Sequence, residues 1–162
     1  MPSGPVVLGF DGSPASERAV REGGALLAPR VALVVVVWEA GLALAALQLP
    51  TAGVGLPPVL IDLRAGLELE DAMRERAERL AQRGAELARQ AGLDAEPLVV
   101  ADEVSVPDTL VRLAQERESQ AVLVGARGHG PLAKALLGST AEGVIRRAPC
   151  PVVVARAEQS SA

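Results

Sequence analysis

Apolar residues recur along this chain in two patterns that alternate. Five short runs are continuously aliphatic and rich in β-branched residues: Pro5–Phe10, Val31–Trp38, Pro97–Ala101, Ala121–Val124 and Pro151–Ala155. Such runs, lacking a polar residue at every second position, predict strands buried on both faces. Between them the apolar positions return every three or four residues, which is helical spacing. Ser13-Pro14 supplies an N-cap and a first-turn proline for a helix over Ala15–Ala28. A longer helix is predicted over Leu63–Ala91, where Met73, Ala77, Leu80, Gly84, Leu87 and Ala91 form one stripe, with Gly92 as its left-handed cap. Ser105 opens a third helix with Pro107 in its first turn, and Gly138-Ser139 opens a fourth that ends near Arg147, before Pro149. The order β-α-β-α-β-α-β-α-β, without a linker-like composition break, predicts one α/β domain with a parallel sheet between helices. That domain spans 1–156, and the small polar residues 157–162 are expected to form a disordered tail.

Composition narrows the function classes. The chain has 162 residues and is 49% hydrophobic and 22% charged, which is globular. Phe10 and Trp38 are the only aromatic residues and net charge is -4, so neither a base-stacking platform nor a phosphate-seeking surface is present and nucleic-acid binding is not expected. One cysteine and one histidine exclude a disulfide framework and a Cys/His metal cage. Ala40–Ile61 carries no charge, but Pro50, Gly53, Gly55, Pro57 and Pro58 interrupt it. It reads as a loop with a short helix near Leu42–Leu49 and not as a membrane span. No export signal opens the chain, and the expected location is the cytoplasm.

In open parallel sheets ligands sit beyond the carboxyl ends of the strands, where the strand order reverses. Two strand ends are unusual. The first continues Gly9-Phe10-Asp11-Gly12-Ser13-Pro14, an acidic turn into a helix. The fourth continues Gly125-Ala126-Arg127-Gly128-His129-Gly130, with a helix start at Gly138-Ser139-Thr140. Glycines let backbone N–H groups approach an anion, a helix N-terminus adds unsatisfied donors, and Arg127 and Lys134 add positive charge. That set suits a phosphate, although glycines between strand and helix also serve as plain turns. No G-x-x-x-x-G-K-[ST] occurs, so the phosphate loop of that class is absent. Gly128-His129-Gly130-Pro131-Leu132-Ala133 matches G-x-G-x-x-A, but on the wrong strand and without the downstream acid, so dinucleotide binding is rejected. Cys150 reads as a small buried filler.

The spacing Gly125-x2-Gly128-x9-Gly138-Ser139, with Val6–Ser13 at the front and Ala148–Val154 at the back, resembles the nucleotide-binding signature of the universal stress protein family. The resemblance covers about residues 4–156. It implies a five-stranded parallel sheet in order 3-2-1-4-5 with helices on both faces, the adenine-nucleotide α-hydrolase-like arrangement, whose strands one and four flank the reversal point. By the same resemblance Gly9, Phe10 and Asp11 border the adenine, with Val37 and Trp38 against the same ring. Gly125, Arg127 and Gly128 border ribose and phosphates, and Gly138, Ser139 and Thr140 meet the phosphates. The implied ligand is ATP, or AMP or ADP, with Mg²⁺ carried by the nucleotide. Dimerisation through Pro151–Ala155 is also implied, and an unpaired apolar edge strand needs a cover. Three positions depart from the family pattern: Ala126 stands where Ser is frequent, Ala141 where a second hydroxyl is common, and Trp38 where a smaller aliphatic residue is common.

The function expected from these features is a nucleotide-binding regulatory protein that signals its occupancy to a protein partner. The alternative is a dimeric interaction module of the same family that no longer uses nucleotide. An enzyme is not expected: His129 is the one candidate base near neutral pH, and slow ATP hydrolysis is the most it would support.

Overall fold

The five aliphatic runs form five parallel strands in the order β3-β2-β1-β4-β5, as the family resemblance implies. They are β1 (Val6–Gly9), β2 (Val31–Trp38), β3 (Asp94–Ala101), β4 (Val122–Gly125) and β5 (Val152–Ala155). The helices between them are α1 (14–27), α2 (Leu63–Gln90), α3 (Val106–Glu116) and α4 (Ser139–Arg147). This computed structural model describes residues 3–41, 63–102, 104–126 and 137–156. The expected loop after Ala40, the residues Arg127, Gly128, His129 and Lys134, and the polar tail therefore lie outside the described residues, apart from the loop's first two positions.

Two apolar layers sandwich the sheet. On one face Val6, Leu8, Ala32, Val34, Val36 and Leu123 pack beneath α1 and α2, against Ala19, Val20, Ala81, Ala85 and Ala88. On the other, Val7, Val35, Val122 and Val124 pack beneath α3 and α4, against Leu110, Leu113, Ala114, Ala141 and Val144. Adjacent residues of one strand thus belong to different layers, the period-2 rule of the pleated chain. Small residues let the helices sit close: a Cβ on Gly84 would lie 2.7 Å from the Phe10 ring and from Val34.

Two elements differ from the sequence reading. β3 begins at Asp94, three residues before the apolar run, with the Asp94 N–H bonded to the Arg30 carbonyl at 2.9 Å. At the sheet edge Asp94-Ala95-Glu96 alternates exposed, buried, exposed, a pattern that a search for continuous apolar runs misses. The first helix is not uniform: Pro14–Arg18 and Gly24–Leu27 are α-helical, but Ala19–Gly23 is a π-helical turn. Here Gly23 runs against β4, where a Cβ would meet the Leu123 side chain at 2.5 Å.

Candidate functional site

The turn after β1 is built by local hydrogen bonds. Phe10 makes the last bond from this segment to β2, its N–H donating to the Val35 carbonyl at 2.9 Å. Gly12 then adopts φ +74°, which suits glycine. The Asp11 carboxylate accepts the Ser13 N–H at 2.9 Å, and the Ser13 hydroxyl caps α1 by accepting the Ser16 N–H at 3.2 Å. The Ser16 hydroxyl returns a bond to the Ser13 carbonyl at 3.0 Å. With Pro14 in the first turn, this short sequence reverses the chain and starts a helix within five residues.

The end of β4 is tied on both sides. The Ala126 N–H donates to the Ala155 carbonyl of β5 at 2.7 Å, and the Ala126 carbonyl accepts the Gly138 N–H at 2.7 Å. Gly138 is the N-cap of α4 and has no side chain to occupy the first-turn N–H groups. Those donors and the helix dipole favour an anion beside Ser139 and Thr140.

Between these ends lies a cleft with about 590 Å³ of empty space, including its open mouth. Gly9, Phe10, Asp11, Val37, Gly125 and Thr140 border it, six of the residues proposed from sequence. Ser16, Val35, Val106, Leu110 and Val124 complete the lining and were not foreseen. Val35 had a signal, since it shares Val37's parity on β2; Val106 and Leu110 share one face of α3's first turns. Gly9 forms part of the floor, where a Cβ would lie 3.0 Å from Leu110 and 3.2 Å from Val124.

Several residues singled out in the sequence have other surroundings than expected. Trp38 packs into the opposite layer, the one containing Phe10, and away from the cleft. The Phe10 ring also lies in that layer, against Gly84, so the cleft has no aromatic face from either residue. Gly138 precedes Thr140 as the cap, and Ser139 is exposed; neither lines the cleft. Gly125 borders the cleft, yet its missing Cβ faces α1, where it would meet backbone atoms of Ala15 and Ser16 at 2.7–2.9 Å. Ala141 is buried in the α3/α4 layer, so a hydroxyl there would enter an apolar core.

The backbone of β2 supplies polar groups. Val35 faces β1 and Trp38 faces β3, through bonds from Phe10 and from Asp102. By the alternation of a parallel ladder, Val37 presents its N–H and C=O toward the β1 side, beyond the point where β1 has turned away. Val37 itself borders the cleft, beside the aliphatic side chains of Val35, Val106 and Leu110. Asp11 is the one titratable side chain among the described lining residues. Among the described residues no group of three or more His, Cys, Asp or Glu side chains could hold a metal ion, and no helix is long and apolar enough to cross a membrane.

An open parallel α/β sheet with its cleft at the β1/β4 reversal point defines a ligand-binding class. The sequence profile of the universal stress protein family matches residues 3–156, and the chain belongs to that family. Among solved structures it is similar to a universal stress protein from Archaeoglobus fulgidus, with 23% identity, TM-score 0.67, and coverage of 93% of this chain and 97% of that one. The universal stress protein from Archaeoglobus fulgidus in complex with dAMP has 22% identity and TM-score 0.60, covering 96% and 99%. A universal stress protein family protein from Arabidopsis thaliana with AMP bound has 13% identity and TM-score 0.59, covering 98% and 94%. No curated protein sequence matches this chain.

Proposed function

We propose that the cleft binds an adenine nucleotide and that the protein acts as a regulator through its occupancy. The observation that carries this reading is the place of Val37, which borders the cleft and by the ladder's alternation turns its N–H and C=O toward the β1 side. A backbone donor beside a backbone acceptor matches the edge of adenine, whose N1 accepts and whose 6-amino group donates. Guanine presents the inverse pattern and would leave both groups unpaired, which costs far more than a methylene misfit. The base lies between Val37 and Val35 on one side and Val106 and Leu110 on the other. Asp11 takes the ribose side, and the open N-terminus of α4 at Thr140 takes the phosphate. The dAMP and AMP held by the two related proteins support the same ligand class.

The proposed role is binding without turnover; among the described lining residues Asp11 is the one titratable side chain available to orient water. Mg²⁺ arrives with a di- or triphosphate, on phosphate oxygens and water; one carboxylate does not make a protein cage.

The signalling form is a homodimer joined through β5. The two sheet edges differ in a way that supports this. On β3 the outward-facing positions are Ala95, Pro97, Val99 and Ala101. Of these, Ala95 has its carbonyl taken by Arg89 Nε at 3.0 Å, and Pro97 has no N–H. Among the described residues no such block stands at Val152 and Val154 of β5, which face away from β4. An unprotected apolar edge is a template for a second strand.

Calorimetric titration of the ligand-free protein with AMP, ATP–Mg²⁺ and GMP tests the reading. The expected result is a Kd below about 1 mM for AMP or ATP, with GMP at least tenfold weaker. Equal binding of GMP, or no heat with any nucleotide, would overturn it and leave the dimeric interaction module.

A further inference from the structure

The phosphate end of the cleft and the free edge of β5 meet at one residue. Ala126 accepts the Gly138 N–H, the cap of the helix that lines the cleft, and donates to Ala155, the last residue of β5, both at 2.7 Å. At its other end α4 runs within four residues, Ala148–Pro151, into the start of β5. There the Pro151 carbonyl accepts the Val122 N–H at 3.0 Å. Helix α4 and strand β5 are therefore linked through Ala126 at the top and by the chain itself at the bottom, where β5 is bonded to β4.

From this we propose that nucleotide occupancy and strand pairing at β5 are thermodynamically coupled through Ala126, so that bound nucleotide strengthens the dimer. The inference rests on the nucleotide-binding and dimer readings above and adds their linkage. β5 has four residues, all half-exposed, and is paired on one side only. The Ala126–Ala155 bond extends the β4/β5 ladder by one step at the last residue of this short strand. Ligand contacts at Thr140 immobilise the α4 cap, which immobilises Ala126 and hence Ala155. A second copy that pairs with β5 then meets a strand already ordered, and the ordering entropy is not lost a second time. Linkage requires the converse: the dimer binds nucleotide more tightly than the monomer, by the same factor.

Two measurements test this on the full chain. Sedimentation velocity over a dilution series gives the dimer dissociation constant with and without saturating AMP; the expected shift is about five- to tenfold tighter with AMP. In parallel, Val154→Pro removes an outward N–H from the edge while sparing the bonds to β4, a position where proline is tolerated. The variant should be monomeric, with an AMP Kd weaker than that of the wild-type dimer by the same factor. A wild-type dimer constant indifferent to AMP, or a monomeric variant that binds AMP as the dimer does, would overturn the coupling while leaving nucleotide binding intact. Absence of AMP binding by the wild type would remove the functional reading and the coupling with it. A wild type monomeric at all concentrations, yet binding AMP, would remove the dimer and the coupling alone. The wild-type measurement stands even if Val154→Pro does not fold.

Discussion

Val37 and Trp38 are neighbours in sequence and belong to opposite layers of the molecule. Val37 lines the cleft on the α3/α4 side, and Trp38 packs with the layer beneath α1 and α2. The β2 pleat separates them by the thickness of the sheet, so only one can touch a ligand. A bulky residue at 38 accordingly neither crowds the cleft nor stacks in it.

Trp38→Phe should leave AMP affinity within about twofold, because the substitution is remote from the ligand and independent of its contacts. Val37→Phe should weaken AMP at least tenfold by filling the aliphatic slot, while its backbone donor and acceptor stay in place. Calorimetry checks both, and a tenfold loss in the Trp38 variant would contradict the assignment of faces.

Gly9→Val should close the floor of the cleft. The added Cβ would sit 3.0 Å from Leu110 Cδ1 and 3.2 Å from Val124 Cγ1, so the branch must enter the empty space or displace Leu110. The expected cost is about 1–3 kcal/mol in denaturant unfolding, with AMP binding lost in the folded variant. Retained binding with unchanged affinity would place the ligand elsewhere.

Gly125→Ala should act on stability first. Its Cβ would meet main-chain atoms of Ala15 and Ser16 at under 3 Å, and backbone cannot step aside as a side-chain tip can. Urea unfolding should show a loss of about 1–3 kcal/mol. A variant as stable as the wild type would show that α1 does not rely on this close approach.

These positions mark what the sequence discloses and what it does not. The strand–helix alternation was legible because each strand run is uniformly apolar, and the caps because Ser13-Pro14, Ser105 and Gly92 carry their own chemistry; Gly92 takes φ +92° as expected. The strand order came with the family resemblance. Uniform hydrophobicity is also why the rest stayed hidden. In a strand apolar at both parities, no pattern says which side faces the ligand, so Val37 and Trp38 looked equivalent. Gly125 looked like part of a phosphate cradle because glycine spacing records where a Cβ is absent, not what occupies the space. Ala141 looked like a missing hydroxyl for the same reason, until its burial beside Val144 placed it in the core.

Cys150 should be slow to alkylate. Cys150 is half-buried and not the buried filler the sequence suggests, and that partial burial pushes its thiol above the usual value of 9.0, because the thiolate loses solvation among its apolar neighbours. The folded protein should therefore react with iodoacetamide at pH 8 several-fold more slowly than after unfolding in urea. The sign for stability follows: the contribution is intact below the unfolded thiol's pKa and declines above it, since the unfolded chain loses its proton first. Equal alkylation rates in both states would contradict this placement.

Asp11 is expected to set the polarity of the cleft. Its carboxylate follows β1, the start of α4 has no side-chain cap, and Asp11 and Thr140 both border the cleft, so a nucleotide is favoured with its phosphates toward Thr140. Asp11→Asn keeps a side-chain oxygen for the Ser13 N–H and should leave thermal stability unchanged, whereas Asp11→Ala loses that bond and about 1 kcal/mol. Removing the charge also removes its repulsion of the phosphates, a difference of roughly threefold across a partly solvated separation. The ratio of ATP to adenosine affinity should therefore rise about threefold in Asp11→Asn at low salt and less at high salt, where screening already weakens the repulsion. Calorimetry with both ligands at two ionic strengths reads this directly, and a ratio that does not move would mean that Asp11 shapes the turn but does not orient the ligand.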